Sequence, residues 1–521
     1  MNVLIADAVS PAAVDVLKAA PGLNVIVSNK DEFRNHLADA EAILVRSAVK
    51  VTPDVFEAAP KLKVVGRAGV GVDNVDIVEA TNRGVVVMNT PGGNAIAVAE
   101  HSLGFMLALA RSIHLASAST KAGKWEKKKF LGNELQDKTL GIVGLGNIGQ
   151  QVARRARPFG MKIVAYDPFV SADLAKDRGI EMVTLDELYA QADYISLHVA
   201  LTDETRGMIN SDTIARMKDG VRIVNCARGE LVNSSDLDKA LESGKVAGAA
   251  LDVFETEPPG ESPLFRHANV IATPHIGGST EEAQENVGIK IAQQVRDYLI
   301  DGVVLNAVNM PSVSAEQYAE LAPYLTLAER LGKFVAQISN GRLVRIKLTY
   351  AGDFSDVNAG LIRNAALAGV LNRFLEQKAN LINANGIAKE RGIGVSEVRR
   401  GRARFSDSIG VLLETEERSY EAEGAVFPDG SARLLSVDGI YVEAPLEGHM
   451  LMVKNQDVPG VIGKVGTILG DNGINISDFA LGRGESEAIA AVKVDSEIPK
   501  KAIDELEAMH AVRVARAVNV S

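Results

Sequence analysis

Cysteine and tryptophan are the scarcest residues of this 521-residue chain, which contains one of each. The lone cysteine, Cys226, cannot form a disulfide within the chain, and a cysteine-based zinc site needs several thiolates. Low cysteine usage is typical of proteins in a reducing compartment. We therefore expect a cytoplasmic protein without a bound metal.

An excess of basic charge and long apolar runs are also missing. The chain has 56 Lys and Arg residues against 67 Asp and Glu, a formal net charge of −11. This balance argues against a nucleic-acid partner, which would require a basic face. The most apolar helical stretch, AIAVAEHSLGFMLALA, contains Glu100 and His101 and is too short and too polar for a bilayer about 30 Å thick. No positive leader precedes the first apolar run, MNVLIADAV, so we expect a strand there and not a signal peptide.

Short apolar runs alternate with helical segments in two stretches of the chain, residues 1 to about 90 and about 135 to 277. Strands that alternate with helices predict a parallel sheet covered on both faces. The sequence therefore predicts two doubly wound, Rossmann-like α/β domains. Between them we expect one long helix from about Ala95 to Ala118, and a capped helix that begins at STEEAQ would carry the chain back to the first domain.

The pattern changes after residue 311. Residues 312–448 mix helices and strands, and PDGSARLLSVDGIYVE contains two Asp-Gly turns typical of hairpins. The remaining residues run strand, helix, two strands, helix, strand, which predicts a ferredoxin-like α+β unit. At about 150 residues per domain three or four domains are expected. We place them at 1–97 completed by 278–306, 98–277, 307–448 and 449–521.

Two glycine-rich loops compete for a dinucleotide. In the second loop Gly144, Gly146 and Gly149 form G-x-G-x-x-G between a strand and a helix. The next strand ends in Asp167, 18 residues after Gly149 (167 − 149 = 18). Glycines allow the tight turn, the approach to the pyrophosphate and the packing of the helix, whose N-terminus attracts phosphate. Asp167 would accept hydrogen bonds from the adenosine ribose, which favours NAD over NADP. The alternative is a set of packing glycines beside a solvated carboxylate.

The first loop is VVGRAGVGVDNVD, and the strand that follows it ends in Asn89 instead of an acidic residue. The loop itself has Arg67, and Arg46 stands at the end of an earlier strand. The carboxyl ends of parallel strands line the ligand crevice. Two arginines there would bind a phosphate or a carboxylate, or they serve only the solubility of the surface.

A nicotinamide enzyme needs a base that takes the hydroxyl proton as hydride leaves. Among eight histidines, His275 is the candidate, because it follows a strand directly and precedes two glycines. Glu257 and Arg228 stand at strand ends of the same domain. A carboxylate can orient an imidazole, and an arginine can clamp a substrate carboxylate. From the residues alone, a structural histidine and two surface ion pairs remain the alternatives.

Several motifs resemble the D-2-hydroxyacid dehydrogenase family: GLGNIG, VNCARGELV, ALDVFETEPP and TPHIGGST. Within it, VRSAVKVT, GRAGVGVDNVD, MNTPGGNAIAVAEH and GKWEKKKF are similar to the members that act on D-3-phosphoglycerate. VPGVIGKVGTILGDNGINI resembles an ACT regulatory domain, and the preceding block resembles the intervening domain of the long members. Together the resemblances cover nearly the whole chain.

The resemblance implies His275 as acid and base, Glu257 as its partner and Arg228 as the ligand of the C2 carboxylate. Further substrate contacts would be Arg46, Arg67 and Asn94. The implied cofactor residues are Gly144, Gly146, Asn147, Ile148, Gly149, Asp167, Ala227, Asp252, Gly277 and Gly278. Either Lys127 or Lys129, near Trp125, would reach the site of a neighbouring subunit.

The implied activity is NAD-dependent oxidation of D-3-phosphoglycerate to 3-phosphohydroxypyruvate, the first step of phosphorylated L-serine biosynthesis. Asn455, Asp457 and Asn475 match serine-binding positions of regulated relatives, and Asn455 stands where Tyr or His is expected. A homotetramer is implied.

The alternative functions are a dehydrogenase for glycerate or glyoxylate, and an NAD-sensing corepressor. The basic stretch KERGIGVSEVRRGRARF is either a solvated surface or an anion site.

Overall fold

The computed structural model describes residues 1–170, 175, 177–310, 315–352, 354, 356–375, 379–401 and 407–521. Within these residues the strands form four sheets, which follow one another along the chain. Two are wholly parallel, one is mixed and one is antiparallel. The predicted fold class is therefore confirmed.

The first sheet is parallel with the strand order β2-β1-β3-β4-β5. Its strands are β1 (Asn2–Ile5), β2 (Asn24–Val27), β3 (Ala42–Val45), β4 (Val64–Arg67) and β5 (Val86–Met88). The helices between them are α1 (Pro11–Lys18), α2 (Pro53–Ala58) and α3 (Ile77–Asn82). The direction of the connections reverses between β1 and β3, and ligands bind beyond the carboxyl ends of such a strand pair.

The second sheet is parallel with the order β12-β11-β10-β9-β6-β7-β8. Its strands are β6 (Thr139–Val143), β7 (Lys162–Tyr166), β8 (Glu181–Met182), β9 (Tyr194–Leu197), β10 (Val221–Asn225), β11 (Val246–Leu251) and β12 (Val270–Ala272). Its helices are α4 (Ala95–Arg111), α5 (Ile113–Lys121), α6 (Asn147–Ala156), α7 (Leu185–Gln191), α8 (Ser211–Arg216) and α9 (Ser234–Glu242). The strand order reverses between β6 and β9, which places a crevice beyond Val143 and Leu197.

The single helix predicted from Ala95 to Ala118 is wrong, because the helix breaks at Ser112. That residue adopts a left-handed conformation (φ 45°) and separates α4 from α5, which lie at 65° to each other. Ten residues of α4 are buried, seven of them in the hydrophobic core of the second sheet, whereas no residue of α5 is buried. In the described part of the chain no single helix is long and apolar enough to cross a membrane, although α4 and α5 taken together meet the length and composition criteria.

Helix α10 (Glu281–Asp301) returns to the first sheet, as the sequence predicts. A Cβ on Gly66 would lie 2.7 Å from Val295 and 2.9 Å from Ile291, so the glycine in β4 permits this close packing. Beyond α10 the chain runs beside β5, where Val308 N donates to Val87 O at 2.7 Å. The first sheet is thus covered by a helix that follows the second sheet along the chain.

The third sheet is mixed, with the order β14-β13-β15-β16-β17-β18. Its strands are β13 (Leu343–Ala351), β14 (Gly394–Arg400), β15 (Ser408–Thr415), β16 (Ser419–Val426), β17 (Ala432–Val437) and β18 (Ile440–Pro445). Its helices are α11 (Ala315–Ile338), α12 (Asp356–Phe374) and α13 (Ala384–Glu390). Both Asp-Gly sequences form hairpin turns, around β17. The basic stretch contributes the end of α13 and β14, and its residues 402–405 lie outside the described residues.

The fourth sheet is antiparallel with the order β20-β21-β19-β22, which is the predicted ferredoxin-like arrangement. Its elements are β19 (His449–Gln456), α14 (Val461–Asp471), β20 (Ile476–Arg483), β21 (Glu487–Val494), α15 (Lys500–Glu507) and β22 (Val512–Asn519). Met450, Ile489 and Val518 share one hydrophobic core with the third sheet. The two sheets are therefore packed against each other through side chains, not merely tethered.

Candidate active site

A pocket of about 290 Å³ lies where the carboxyl ends of the first and second sheets meet. The first sheet contributes the loops after β3 and β4, and the second contributes the loops after β11 and β12. Six of the predicted site residues line it: Arg46, Arg67, Asn94, Glu257, His275 and Gly278. Residues from distant parts of the chain therefore share one cleft between two domains.

His275 and Glu257 form the most specific contact of the pocket. Nδ1 of His275 lies 2.7 Å from Oε2 of Glu257, and Oε1 of that carboxylate accepts from Phe254 N at 3.1 Å. The carboxylate is thus fixed by the backbone while it orients the ring. With Nδ1 committed to Glu257, Nε2 is the nitrogen left for proton exchange.

The backbone of His275 is held in an unusual conformation by Asp252. His275 has a left-handed φ of 54°, and its N–H donates to Asp252 O at 2.9 Å. The Asp252 carboxylate accepts from Ile276 N at 2.8 Å and Gly277 N at 2.7 Å, and it is 1% exposed. Burial raises its pKa, but hydrogen bonds from His101, from Thr273 and from the backbone outweigh burial and lower the pKa overall. In this structure Asp252 anchors the turn that presents the histidine.

Two guanidinium groups lie over the first glycine loop. A Cβ at Gly69 would lie 1.5 Å from Nη1 of Arg67, and one at Gly71 would lie 2.1 Å from Nη2 of Arg228. Nη2 of Arg228 also pairs with Oδ2 of Asp73 at 3.0 Å, which joins the two domains across the cleft. The glycines of this loop therefore make room for arginine side chains.

The guanidinium groups of the cleft lie near one another, with the carboxylates of Asp73 and Asp7 beside them. Burial lowers the pKa of Arg67, and the charge of Arg228 lowers it further, while Asp73 opposes both effects. An arginine remains charged at neutral pH despite such a shift. Nε of Arg67 and Oδ1 of Asn94 are buried and have no hydrogen-bond partner among the described residues. These two atoms are closed to solvent, so the polar groups that the pocket presents to a small anion include the guanidinium groups of Arg46 and Arg67.

The second glycine loop has the geometry of a dinucleotide site. Gly144 is left-handed (φ 93°), and a Cβ there would lie 2.7 Å from the backbone of His198. A Cβ at Gly149 would lie 2.1 Å from Gly144 O, so the helix approaches the strand as the motif requires. No atom lies within 4 Å of a Cβ built on Gly146, which leaves space at the start of α6 for a pyrophosphate.

The acidic end of β7 lies beside this loop. Oδ2 of Asp167 accepts from Leu145 N at 2.8 Å, and Oδ1 accepts from Phe169 N at 2.8 Å. Asn147 and Ile148 begin α6, and Ala227 lies in the loop after β10, where its N–H donates to an amide oxygen at 3.0 Å. These residues fit the phosphate and ribose ends of NAD.

Other predicted residues lie away from the cleft. Lys127 and Lys129 are in an exposed turn that does not line the pocket, next to the exposed Trp125. Among the residues that the structure describes, no group of three or more His, Cys, Asp or Glu side chains is arranged to hold a metal ion.

The three residues of the implied serine site are not together within one copy of the chain. Asn455 is 3% exposed on β19, and Asp457 pairs with Arg483 at 3.2 Å near the same end of the sheet. Asn475 lies at the opposite end, where its Nδ2 donates to Asp495 at 2.6 Å. The structure thus separates Asn475 from the other two residues.

Sequence reasoning missed several polar groups around the pocket. Ser47, Ser279 and Gln284 line it, and Asp7 and Asn74 bind the backbone of the loop that carries Arg46. Asp7 follows the end of β1, so the rule that selected Arg46 also pointed to it. Gln284 lies within a helix and gave no such signal.

Family models match three parts of the chain. Residues 103–277 match the D-isomer specific 2-hydroxyacid dehydrogenase, NAD binding domain. Residues 320–438 match the D-3-phosphoglycerate dehydrogenase intervening domain, and residues 449–511 match the ACT domain. Together with the two Rossmann-like sheets and the His275–Glu257 pair, these matches define an NAD-dependent dehydrogenase of the D-2-hydroxyacid class.

Curated relatives cover the chain at full length. D-3-phosphoglycerate dehydrogenase of Synechocystis sp. is 41% identical over 100% of this chain and 95% of its own length. The Bacillus subtilis enzyme of that name is 40% identical over 97% of each chain. The chain therefore belongs to the D-3-phosphoglycerate dehydrogenase family.

Solved structures agree over the first two domains. D-lactate dehydrogenase of Aquifex aeolicus, complexed with NAD and lactic acid, is 32% identical with a TM-score of 0.52, and the match covers 60% of this chain and 100% of that one. A glyoxylate reductase from Paecilomyes thermophila is 32% identical with a TM-score of 0.54, over 61% of this chain and 99% of that one.

Proposed function

We propose that the chain oxidises D-3-phosphoglycerate to 3-phosphohydroxypyruvate with NAD, the first step of the phosphorylated route to L-serine. The observation that carries the proposal is one pocket with a histidine–carboxylate pair on one side and Arg46 and Arg67 on the other. Relatives of that name match the chain along its whole length. An anionic substrate in a locally cationic cleft is consistent with the overall acidity of the chain.

In the proposed reaction Nε2 of His275 takes the proton of the C2 hydroxyl. Glu257 orients the ring and stabilises the imidazolium that forms. Arg228 holds the C2 carboxylate, and Asn94 is a further substrate contact. Bound NAD supplies the acceptor for the hydride.

Arg46 and Arg67 are proposed to bind the phosphate. The cofactor would lie along the second glycine loop, with Gly144, Gly146 and Gly149 close to the pyrophosphate. It would further contact Asn147, Ile148, Asp167, Ala227, Asp252, Gly277 and Gly278.

Steady-state assays with Arg67→Ala test the substrate assignment. The variant should raise KM for D-3-phosphoglycerate by about tenfold or more, since a partly buried charge-assisted contact is lost. KM for glycerate should change much less. Equal effects on the two substrates would favour the unphosphorylated 2-hydroxyacids, and the absence of NADH formation with any of them would favour an NAD-sensing corepressor.

We further propose the domain limits 1–97 with 278–306, 98–277, 307–448 and 449–521. The first would bind substrate, the second NAD, and the last two would regulate. The assembly proposed is a cytoplasmic homotetramer that L-serine regulates through the ACT domain. Light scattering should then give four times the chain mass of 55.3 kDa.

A further inference from the structure

The loop after β3, residues 46–49, brings Arg46 and Ser47 to the pocket. Three backbone N–H groups of this loop converge on one carboxylate oxygen, Oδ2 of Asp7. The donors are Arg46 at 3.1 Å, Ala48 at 2.9 Å and Val49 at 3.4 Å. The other oxygen of Asp7 accepts from Ala8 N at 2.8 Å. Asp7 is only 8% exposed, so backbone dipoles stabilise its charge.

The carbonyl groups of the same loop are held from the other side. Nδ2 of Asn74 donates to Arg46 O at 2.6 Å and to Val49 O at 2.7 Å. Asn74 belongs to the glycine loop after β4, and its neighbour Asp73 pairs with Arg228. Two adjacent residues therefore connect the loops that carry the cationic groups of the cleft.

The position of Asp7 in the sheet makes this arrangement informative. Asp7 follows β1 and Arg46 follows β3, the two strands between which the strand order reverses. Ligands bind at the carboxyl ends of such strands. A carboxylate at this place repels an anionic substrate, so its hydrogen bonds to the loop must outweigh that repulsion if the site is to bind anions.

We propose that Asp7 and Asn74 are positioning residues, which fix the loop so that Arg46 meets the anionic end of the substrate. The inference rests on the proposed substrate contact of Arg46. A guanidinium forms two hydrogen bonds to a phosphate only in a narrow range of positions. Small displacements of the arginine therefore lower both the reaction rate and the substrate affinity. Because N–H and C=O groups of the loop are both anchored, loss of either anchor leaves backbone groups without partners and moves the arginine.

Steady-state kinetics of the full chain with D-3-phosphoglycerate and NAD test the proposal. Asp7→Asn keeps the size of the side chain, but its NH2 group must face either Ala8 N or the three loop N–H groups, and the negative charge that these groups surround is lost. It should raise KM for the substrate by about tenfold, the effect of losing one charge-assisted contact, and leave KM for NAD within about twofold. Asn74→Ala should act in the same direction.

Two comparisons separate positioning from general stability. In the Arg46→Ala background, Asp7→Asn should raise KM no further, because Asp7 acts through Arg46. Asp76→Asn is the matched control, since Oδ1 of Asp76 accepts from Glu79 N at 2.9 Å and caps α3. It should lower the thermal unfolding midpoint and leave KM unchanged.

Unchanged KM in both Asp7→Asn and Asn74→Ala would overturn the proposal, and so would additive effects of Asp7→Asn and Arg46→Ala. If Asp7→Asn does not fold, Asn74→Ala decides alone. Should Arg46→Ala leave KM unchanged, the substrate contact itself is wrong and the positioning role falls with it. If Arg46→Ala raises KM strongly while Asp7→Asn and Asn74→Ala leave it unchanged, only the positioning role is overturned and the substrate contact stands.

Discussion

Replacement of Glu257 by glutamine removes the charge that faces His275 and turns an NH2 group toward Nδ1 of the ring. Glutamine has the same shape and can still accept the hydrogen bond from Phe254 N through one oxygen. What is lost is the attraction between a carboxylate and the imidazolium that forms when the hydroxyl proton is taken. Because Nδ1 must then accept from the amide, the ring proton moves to Nε2, so Glu257→Gln removes both the charge and the tautomer that can take a proton.

The size of the effect follows from distance and exposure. At about 4 Å between charge centres the attraction is ~1 kcal/mol in bulk water and ~4 kcal/mol at an effective dielectric constant of about 20. The side chains of His275 and Glu257 are 52% and 37% exposed, so the pair lies between these limits. A contribution of about 1.4–2.7 kcal/mol corresponds to a loss of about 10- to 100-fold in kcat, and the changed tautomer adds to this loss.

Initial rates of NADH formation over a range of substrate and NAD concentrations measure this loss. KM for NAD should stay within about twofold, because Glu257 is not among the proposed cofactor residues. Glu255→Gln is the control, since Oε1 of Glu255 only accepts from Ser234 N at 2.8 Å at the start of α9. A kcat of Glu257→Gln within twofold of the unaltered enzyme, or an equal loss in Glu255→Gln, would refute the reasoning.

Two more substitutions test the supporting structure. Gly149→Ala puts a Cβ 2.1 Å from Gly144 O, so it should destabilise the fold by about 1–3 kcal/mol and weaken the binding of NAD. Thermal unfolding with and without NAD measures both effects. Asp252→Asn should cost about 1–3 kcal/mol at neutral pH. Because the folded pKa of Asp252 lies below its ordinary value of 3.8, its contribution is complete well above that value and is lost as pH falls through and below it. The difference between the two proteins should therefore shrink in acid unfolding curves, and a constant difference would contradict the assignment.

The layers of the fold could be predicted from apolar patterning, because each buried strand is a short apolar run between turn residues. The break between α4 and α5 at Ser112 could not be predicted in this way. The stretch around it contains neither proline nor glycine, and the difference in burial between α4 and α5 depends on packing in three dimensions. The order of strands within a sheet also has no signal in a single sequence, since it depends on which faces pack in three dimensions.

The candidate site was predictable where function requires a local pattern. The spacing of Gly144 to Asp167 reflects contacts within one strand–helix–strand unit, and the structure keeps them together. His275 and Glu257 were identifiable as candidates at strand ends, but their pairing depends on two separate loops, so the residues alone left it open and only the family resemblance implied it. Asp7 stands at a strand end as Arg46 does, but its partners are backbone N–H groups, which leave no pattern of side-chain types in the sequence.

The implied serine site has a geometric requirement that one copy cannot meet. Asn455 pairs with Ala488 near one end of the sheet, whereas Asn475 precedes Ile476, which pairs at the level of His449. Six residues at ~3.3 Å each separate the two levels by roughly 20 Å. A serine molecule spans only a fraction of that distance. If Asp457 and Asn475 contact the same serine, they must come from different copies of the chain.

A mixing experiment tests this directly. Asp457→Ala and Asn475→Ala should each abolish the effect of serine on activity and on the thermal unfolding midpoint. In a hybrid assembly, one interface site would contain both altered residues and the other would contain neither. Unfolding and refolding the two variants together should thus restore part of the serine response, up to about half in each hybrid pair. If each serine site lay within one copy, every chain of the mixture would carry a damaged site and no response would return. An absence of recovery would therefore show that the two residues do not serve a shared site between copies.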